Sequence, residues 1–292
     1  MADVITGVTE ITNVSQREIM ENMVQQYLQA ASMFPQRVQT FAVARGIKSV
    51  DIPRTGGFTV GTKTENTAVD AQALTWAVDN LPLTNHRVIQ VLMEDIANIQ
   101  SKVDQELQIA QRAGLDLAFD TDLKIVNAFY SAASASAPDH IVAYANSVSD
   151  DTLGSADVMN AKYLLDLQKV PADGRYLAVD PLGYSQLLAV SDFVRVDAIN
   201  ANQLTEGIRP GVVGKIYGFE VFMSQAVTTK QNIAFHKSAL AYGVQQGITY
   251  ANQSALEHLG VRHSFSQLYG VKGLDLGKRH VVIGTASSLT IA

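Results

Sequence analysis

The sequence has no cysteine. Disulfides, thiolate metal sites and cysteine nucleophiles are therefore excluded outright. It has a single tryptophan, Trp76, and only seven prolines among 292 residues. It has no basic run, and its formal net charge is −6. This balance argues against a classical DNA-binding surface, because affinity for phosphates rests on clustered Lys and Arg. No apolar stretch approaches the ~20 residues that a membrane span needs. The opening "MADVITGVTE" lacks the basic and apolar regions of a signal peptide. What remains is 47% apolar and 17% charged, a balance that buries a sizeable core.

Sites for chemistry are also scarce. "GGFTVGTKT", starting at Gly56, approaches the phosphate-binding pattern G-x-x-x-x-G-K-[ST]. Gly56 and Gly61 have the right gap, but Thr62 stands where the lysine belongs, and Lys63 and Thr64 come one residue late. The stretch leads into "TENTAVDAQALTW" rather than a strong helix, so its glycines are read as turns in an exposed arm. His258 and His263 lie five apart, which does not match the i, i+4 zinc spacing. Glu94-Asp95 and Asp150-Asp151 are adjacent carboxylates, and neighbours on a helix point different ways. No G-x-S-x-G elbow occurs. No cofactor or metal is expected.

Architecture is what the sequence does express. "SQRE" at Ser15 reads as a capping box opening an amphipathic helix that Pro35 ends. From 38 to 92, two extended runs flank a Gly-, Thr- and Asn-rich middle, which predicts a long β-hairpin. A two-stranded ribbon is marginal in water, so an arm of this length needs something to lie on. Trp76, on its returning side, is an aromatic suited to anchoring an interface. Ile89, Leu92, Ile96, Ile99, Val103, Leu107 and Ala110 then recur at steps of three and four. They predict one long helix over about 89–113, ending at Gly114. Residues 131–155 read as a connection. A helix is expected at about 156–169, with Val158, Tyr163, Leu164 and Leu167 as its apolar positions. Tyr176–Val179 reads as a buried strand, and Asp180-Pro181 as a helix start. Residues 195–211 are loop-like, 214–227 a strand with a turn at Gly218, and Val281–Ile283 the last strand.

This order of elements resembles the major capsid protein of tailed double-stranded DNA bacteriophages, the Hong Kong 97 fold. Three stretches carry the match: "GRYLAVDPLGYSQLL" (174–188), "GKIYGFEVFMSQ" (214–225) and "IAFHKSALAYGVQQ" (233–246). The resemblance implies an α+β chain in five parts. They are an N-terminal arm (1–40), an extended E-loop (41–85), a peripheral domain with its spine helix (86–144), an axial domain (145–250) and C-terminal peripheral strands (251–292). It implies an E-loop lying across a neighbouring subunit, with Arg54, Gly56, Gly57, Phe58, Lys63, Glu65 and Trp76 as contact candidates. Asn202, Glu206 and Arg209 are the candidates near the capsomere axis. The implied function is self-assembly into hexamers and pentamers of a shell around phage DNA, which is contacted only non-specifically. The implied partners are copies of the chain itself, a separate scaffolding protein, a portal and a decoration protein. The implied place is the virion, assembled in the host cytoplasm. Some family members cross-link through Lys and Asn. Lys48 and Lys63 lie in the arm, but no acceptor pattern is recognisable, so that chemistry is not carried over. Two alternatives stay open: an encapsulin-like shell holding protein cargo, and an enzyme using the α/β part.

Overall fold

The computed structural model describes residues 8–66, 68, 71–94, 105–135, 140–144, 151–189, 212–255, 257, 259–274 and 278–284. Helix α1 spans Val8–Ala31. Short strand β1 (Gln39–Ala42) follows, then the hairpin strands β2 (Ser49–Thr55) and β3 (Trp76–Pro82), and strand β4 (Asn85–Glu94). The longest helix, α2, spans Gln105–Ala135. After β5 (Ile141–Val142) come α3 (Ser155–Leu167), β6 (Arg175–Val179) and α4 (Pro181–Ala189). The chain finishes with β7 (Val212–Ile216), β8 (Phe219–Met223), β9 (Gln231–His236), β10 (Leu240–Ala255), β11 (Gly260–Gly273) and β12 (His280–Gly284).

Two sheets organise these elements. One has the order β1-β10-β11-β4, and the other β5-β12-β9-β6-β8-β7. Helix α2, ~46 Å long at 1.5 Å per residue, packs on both. Its first half meets α1 and the four-stranded sheet, through Ala110, Ala113 and Leu117 against Met20, Val24, Ile248 and Phe265. Its second half packs Ile125, Val126, Phe129 and Tyr130 against Phe222, Phe235, Tyr242 and Val282. The Tyr130 hydroxyl donates to the Gln231 carbonyl at 2.8 Å, so this deep phenol is satisfied. A separate core under α3 joins Val158, Ala161 and Leu165 to Leu177, Val221 and Ile283.

Several expected features are present. Strand 176–179 is buried, and Asp180 caps α4 by accepting the Gly183 amide at 2.8 Å. Tyr217 (φ 47°) and Gly218 (φ 91°) make the tight turn between β7 and β8; both central residues are left-handed, as a two-residue hairpin loop demands.

The long helix is placed differently from expectation. Asn85–Glu94 is a strand, paired antiparallel with β11 from Glu94↔Gly260 to Asn85↔Tyr269. Its burial alternates residue by residue. "VIQVLM" is short, apolar and β-branched, and such a run fits either period until a partner strand decides. The helix instead runs on to Ala135, through part of the expected connection. Gly114 does not end it. A Cβ there would lie 2.8 Å from the Tyr27 Cβ and 3.0 Å from the Val24 carbonyl oxygen. The glycine allows α1 and α2 to touch. Helix α1 starts at Val8, so Ser15 is interior to it and is not a cap. In α3, Tyr163 and Leu167 are 64% and 60% exposed, while Val158, Ala161 and Leu165 are buried. Leu240–Ala255 crosses the expected boundary at 250 and lies wholly in the four-stranded sheet. The last strand, expected back in the peripheral sheet, pairs with β9 and β5 in the six-stranded one.

Candidate assembly surface

The β2–β3 ribbon forms a two-stranded sheet of its own, in register from Ser49↔Pro82 to Thr55↔Trp76. Its base is fixed to the body. Leu81 is fully buried with Ala241 and Leu274, and the Leu83 amide donates to the Lys48 carbonyl at 3.0 Å. The Gln245 side-chain amide donates to the carbonyls of Ala44 (3.0 Å) and Ile47 (2.7 Å). With Val50 and Ile52 packed against the same cluster, these contacts hold the root of the hairpin.

Beyond the root the character changes. Strand alternation and register put Trp76 and Val78 on one face with Pro53. Trp76 is 61% exposed and Val78 58%. In the loop Phe58 (65%), Val60 (96%) and Leu74 (49%) are exposed apolar residues as well. On the other face Arg54 and Asp79 approach to 3.7 Å, a pair worth only tenths of a kcal/mol to about 1 kcal/mol when partly solvated. Lys63 and Glu65 are exposed. In the loop, the Gly56 amide donates to the Thr75 carbonyl at 2.9 Å, and the Thr59 amide to Gln72 Oε1 at 2.9 Å.

Gly56, Gly57 and Gly61 were expected to supply turns. None has positive φ, and a Cβ at Gly57 or Gly61 would meet nothing within 4 Å. A Cβ at Gly56 would crowd Thr75 Oγ1. The stretch joins two ribbon strands rather than a buried strand and a helix, so no phosphate cradle forms. Asn202, Glu206 and Arg209 lie outside the described residues.

Elsewhere the surface offers little for catalysis. An open groove of about 400 Å³ between β4 and α2 is lined by Ile89, Val91, Ile109 and Ala113 and rimmed by the Arg112–Asp116 ion pair. Among the described residues, no three His, Asp or Glu gather where they could hold a metal ion. His263 Nδ1 lies 2.7 Å from the Tyr250 hydroxyl, inside the core. Asp151 lies 3.7 Å from Lys230 Nζ. Among the described residues, no helix is long and apolar enough to cross a membrane. Sequence reasoning passed over Val60, Leu74 and Val78; the signal was present in "LTWAV", where Leu74, Trp76 and Val78 alternate.

The arrangement is thus a rooted ribbon with an exposed apolar face, attached to a body built on two sheets and one long helix. A family model described as phage capsid protein matches residues 15–258, which takes in most of helix α1, the ribbon, the long helix α2 and most of both sheets. The chain belongs to the phage capsid protein family. As a capsid protein it is a structural subunit of a virion shell. Solved structures agree on the fold. The capsid protein of cyanophage P-SCSP1u superposes with a TM-score of 0.70 at 19% identity, over 88% of this chain and 89% of that one. The Mycobacterium phage Che8 structure gives 0.68 at 22% identity, over 88% and 92%. The virus-like particle from Pyrococcus furiosus gives 0.62 at 14% identity, over 92% and 99%. No curated protein sequence matches the chain. The fold of this capsid protein is therefore the Hong Kong 97-like α+β fold that the sequence resembles.

Proposed function

We propose that the chain is the major capsid subunit of a tailed phage. Its copies form rings of five and six that close into an icosahedral head around the genome. The observation that carries this reading is the ribbon: an apolar face with Trp76 61% exposed, on a hairpin rooted only at its base. A monomer has no use for such a face, whereas a neighbouring copy buries it. Arg54, Gly56, Gly57, Phe58, Lys63, Glu65 and Trp76 then lie on the adjacent subunit. Apolar burial supplies the main driving force, and the Thr and Asn side chains of the loop supply hydrogen bonds. The chain acts without catalysis. A separate scaffolding protein sets curvature, a portal occupies one vertex, a decoration protein adds outside, and assembly proceeds in the host cytoplasm. The mild negative charge suits a wall that touches packaged DNA only non-specifically.

A second reading, a storage shell for protein cargo, draws on the likeness to the Pyrococcus furiosus particle. Negative-stain electron microscopy with light-scattering mass, on protein made with and without scaffold, tests the proposal. Closed shells or rings of five and six are expected. Nucleic acid inside native particles supports the phage head, and an enzyme inside them supports the storage shell. A monomer under every condition overturns both.

A further inference from the structure

Two histidines lie inside the molecule, where the second half of α2 meets the last strand. His280 opens β12 and is wholly buried. Its strand is held on both sides, antiparallel to β9 with His280 opposite Phe235, and parallel to β5. Its ring reaches α2: Nε2 lies 3.0 Å from the Phe129 carbonyl oxygen, and the Phe129 ring packs beside it with centroids 5.2 Å apart. His140, just before β5, is 5% exposed and places Nδ1 3.1 Å from the His280 carbonyl oxygen. The two imidazoles stack with centroids 6.0 Å apart.

These contacts fix where the hydrogens sit. A carbonyl oxygen only accepts, so Nε2 of His280 and Nδ1 of His140 each carry one. Nδ1 of His280 is then the bare nitrogen of a neutral ring, and it is buried without a hydrogen-bond partner. A second proton there would put an N–H without an acceptor, and a charge without a counter-ion, into the core. The packed elements supply neither. On β9, His236 meets the Ser238 hydroxyl at 2.7 Å, and Arg279, beside His280, donates to the same hydroxyl at 2.7 Å. On α2, Tyr130 donates to the Gln231 carbonyl and is neutral, since burial pushes its phenol up to about 12. β5 brings Ile141 and Val142. Helix α3 brings Val158, Ala161 and Leu165, and its buried Asp157 accepts the Gly154 amide. Among the described residues, the one charge that acts on His280 is that of His140, which is itself a base. Burial first, and then that neighbour, push the His280 ring from 6.5 down to about 4, against the pull of the Phe129 carbonyl.

We propose that the contact between His280 and the Phe129 carbonyl is an acid-labile joint, which holds the last strand to the long helix while the ring is neutral and releases it when the ring takes a second proton. The sign follows from which state binds that proton better. Closed, the ring has one hydrogen, already given to Phe129, and no place for another. Opened to water, it takes a proton near the ordinary histidine value. Opening is thus linked to proton uptake. It is constant above about pH 6.5, rises about tenfold per pH unit as the pH falls below that, and levels off near pH 4, where the closed ring is protonated as well. His140 does not share this behaviour by geometry, because its Nδ1–H goes on donating to the His280 carbonyl whether or not the ring is charged. In a shell, the last strand and the long helix stay joined at neutral pH, and the joint is the place where acid loosens the subunit.

Two measurements on the full-length subunit test this. In the first, hydrogen exchange of amides 281–283, corrected for intrinsic rate, is followed from pH 7 to pH 4.5 in the wild type, His280→Gln and His236→Gln. The wild type is expected to open about fiftyfold more often at pH 4.5 than at pH 7. His280→Gln keeps a side-chain N–H for the Phe129 carbonyl but cannot be protonated, and is expected to lose most of that rise. Carboxylates that titrate at the acid end act alike in all three proteins, so the difference between wild type and His280→Gln is the quantity read. His236 is also pushed down by burial, and His236→Gln is expected to keep the rise if His280 is its source. In the second, nuclear magnetic resonance of the imidazole carbons follows His280 in the folded wild type. Its ring is expected to stay neutral, with the hydrogen on Nε2, from pH 7.5 to pH 5.5. Should His280→Gln fail to fold, this titration decides alone. The same rise in His280→Gln as in the wild type, or a His280 ring that titrates at the ordinary histidine value in the folded subunit, overturns the joint.

Discussion

Phe129 and Trp76 are both large aromatics, and the molecule treats them in opposite ways. Phe129 sits in the second half of the spine helix, fully buried against Phe235 with ring centroids 4.9 Å apart. Trp76 sits at the end of a ribbon strand with 61% of its surface open. The spine region finds its partners within the chain. The ribbon is apolar in the same sense, but its packing on the body is at its root, through Leu81, Val50 and Ile52, and Trp76 and Val78 beyond it are exposed. Burial is equally favourable in both places. What differs is which molecule supplies the second surface, and we propose that for the ribbon it is another copy.

Four substitutions sharpen this contrast. Phe129→Ala leaves a cavity at the junction of both sheets and should cost the unassembled subunit about 3–5 kcal/mol in chemical denaturation. Gly114→Leu forces α1 away from α2, since even a Cβ lies 2.8 Å from Tyr27; about 2–3 kcal/mol of destabilisation is expected in the same assay. Trp76→Ala should leave subunit stability within about 0.5 kcal/mol. It should nevertheless raise the concentration needed for shell formation at least about tenfold, by light scattering, because a central aromatic anchor is lost. Gly61→Ala should change neither quantity measurably, because its backbone is not left-handed and the site is open. If Trp76→Ala instead unfolds the subunit, the ribbon belongs to the core and the contrast fails.

How far the sequence could be read depended on where the deciding contacts lie. Strand 176–179 and the α4 cap at Asp180 are written in consecutive residues: an apolar run, then Asp-Pro. The turn at Gly218 is likewise local, since two left-handed residues need a glycine or something like it. Strand β4 was not legible. "VIQVLM" carries apolar residues that fit a helix as well as a strand, and its identity is fixed by pairing with Gly260–Tyr269, some 170 residues later. Gly114 misled for a related reason, because its purpose is the approach of Tyr27 and Val24 from another helix. For the ribbon, the Gly- and Thr-rich composition signals an arm in need of a partner and singles out Trp76 as a candidate interface anchor; Trp76 is 61% exposed. The glycines themselves are credited with turns, and none of the three has the left-handed backbone that would require a glycine. The apolar face of Trp76, Val78 and Pro53 emerges only once the register is known, because register decides which residues share a face. Asp122 gave no signal at all: one aspartate in a helix is ordinary until the amides of residues 33 and 34 arrive beside it.

The claim that the ribbon is held by a neighbour is tested most directly by hydrogen exchange at residues 56–75, in the unassembled subunit and in the closed shell. Exchange near the intrinsic rate is expected in the free subunit, with protection of at least about a hundredfold appearing on assembly, while amides of the spine helix at 117–130 stay protected in both. Strong protection of the ribbon in the free subunit, or none in the shell, would contradict the account.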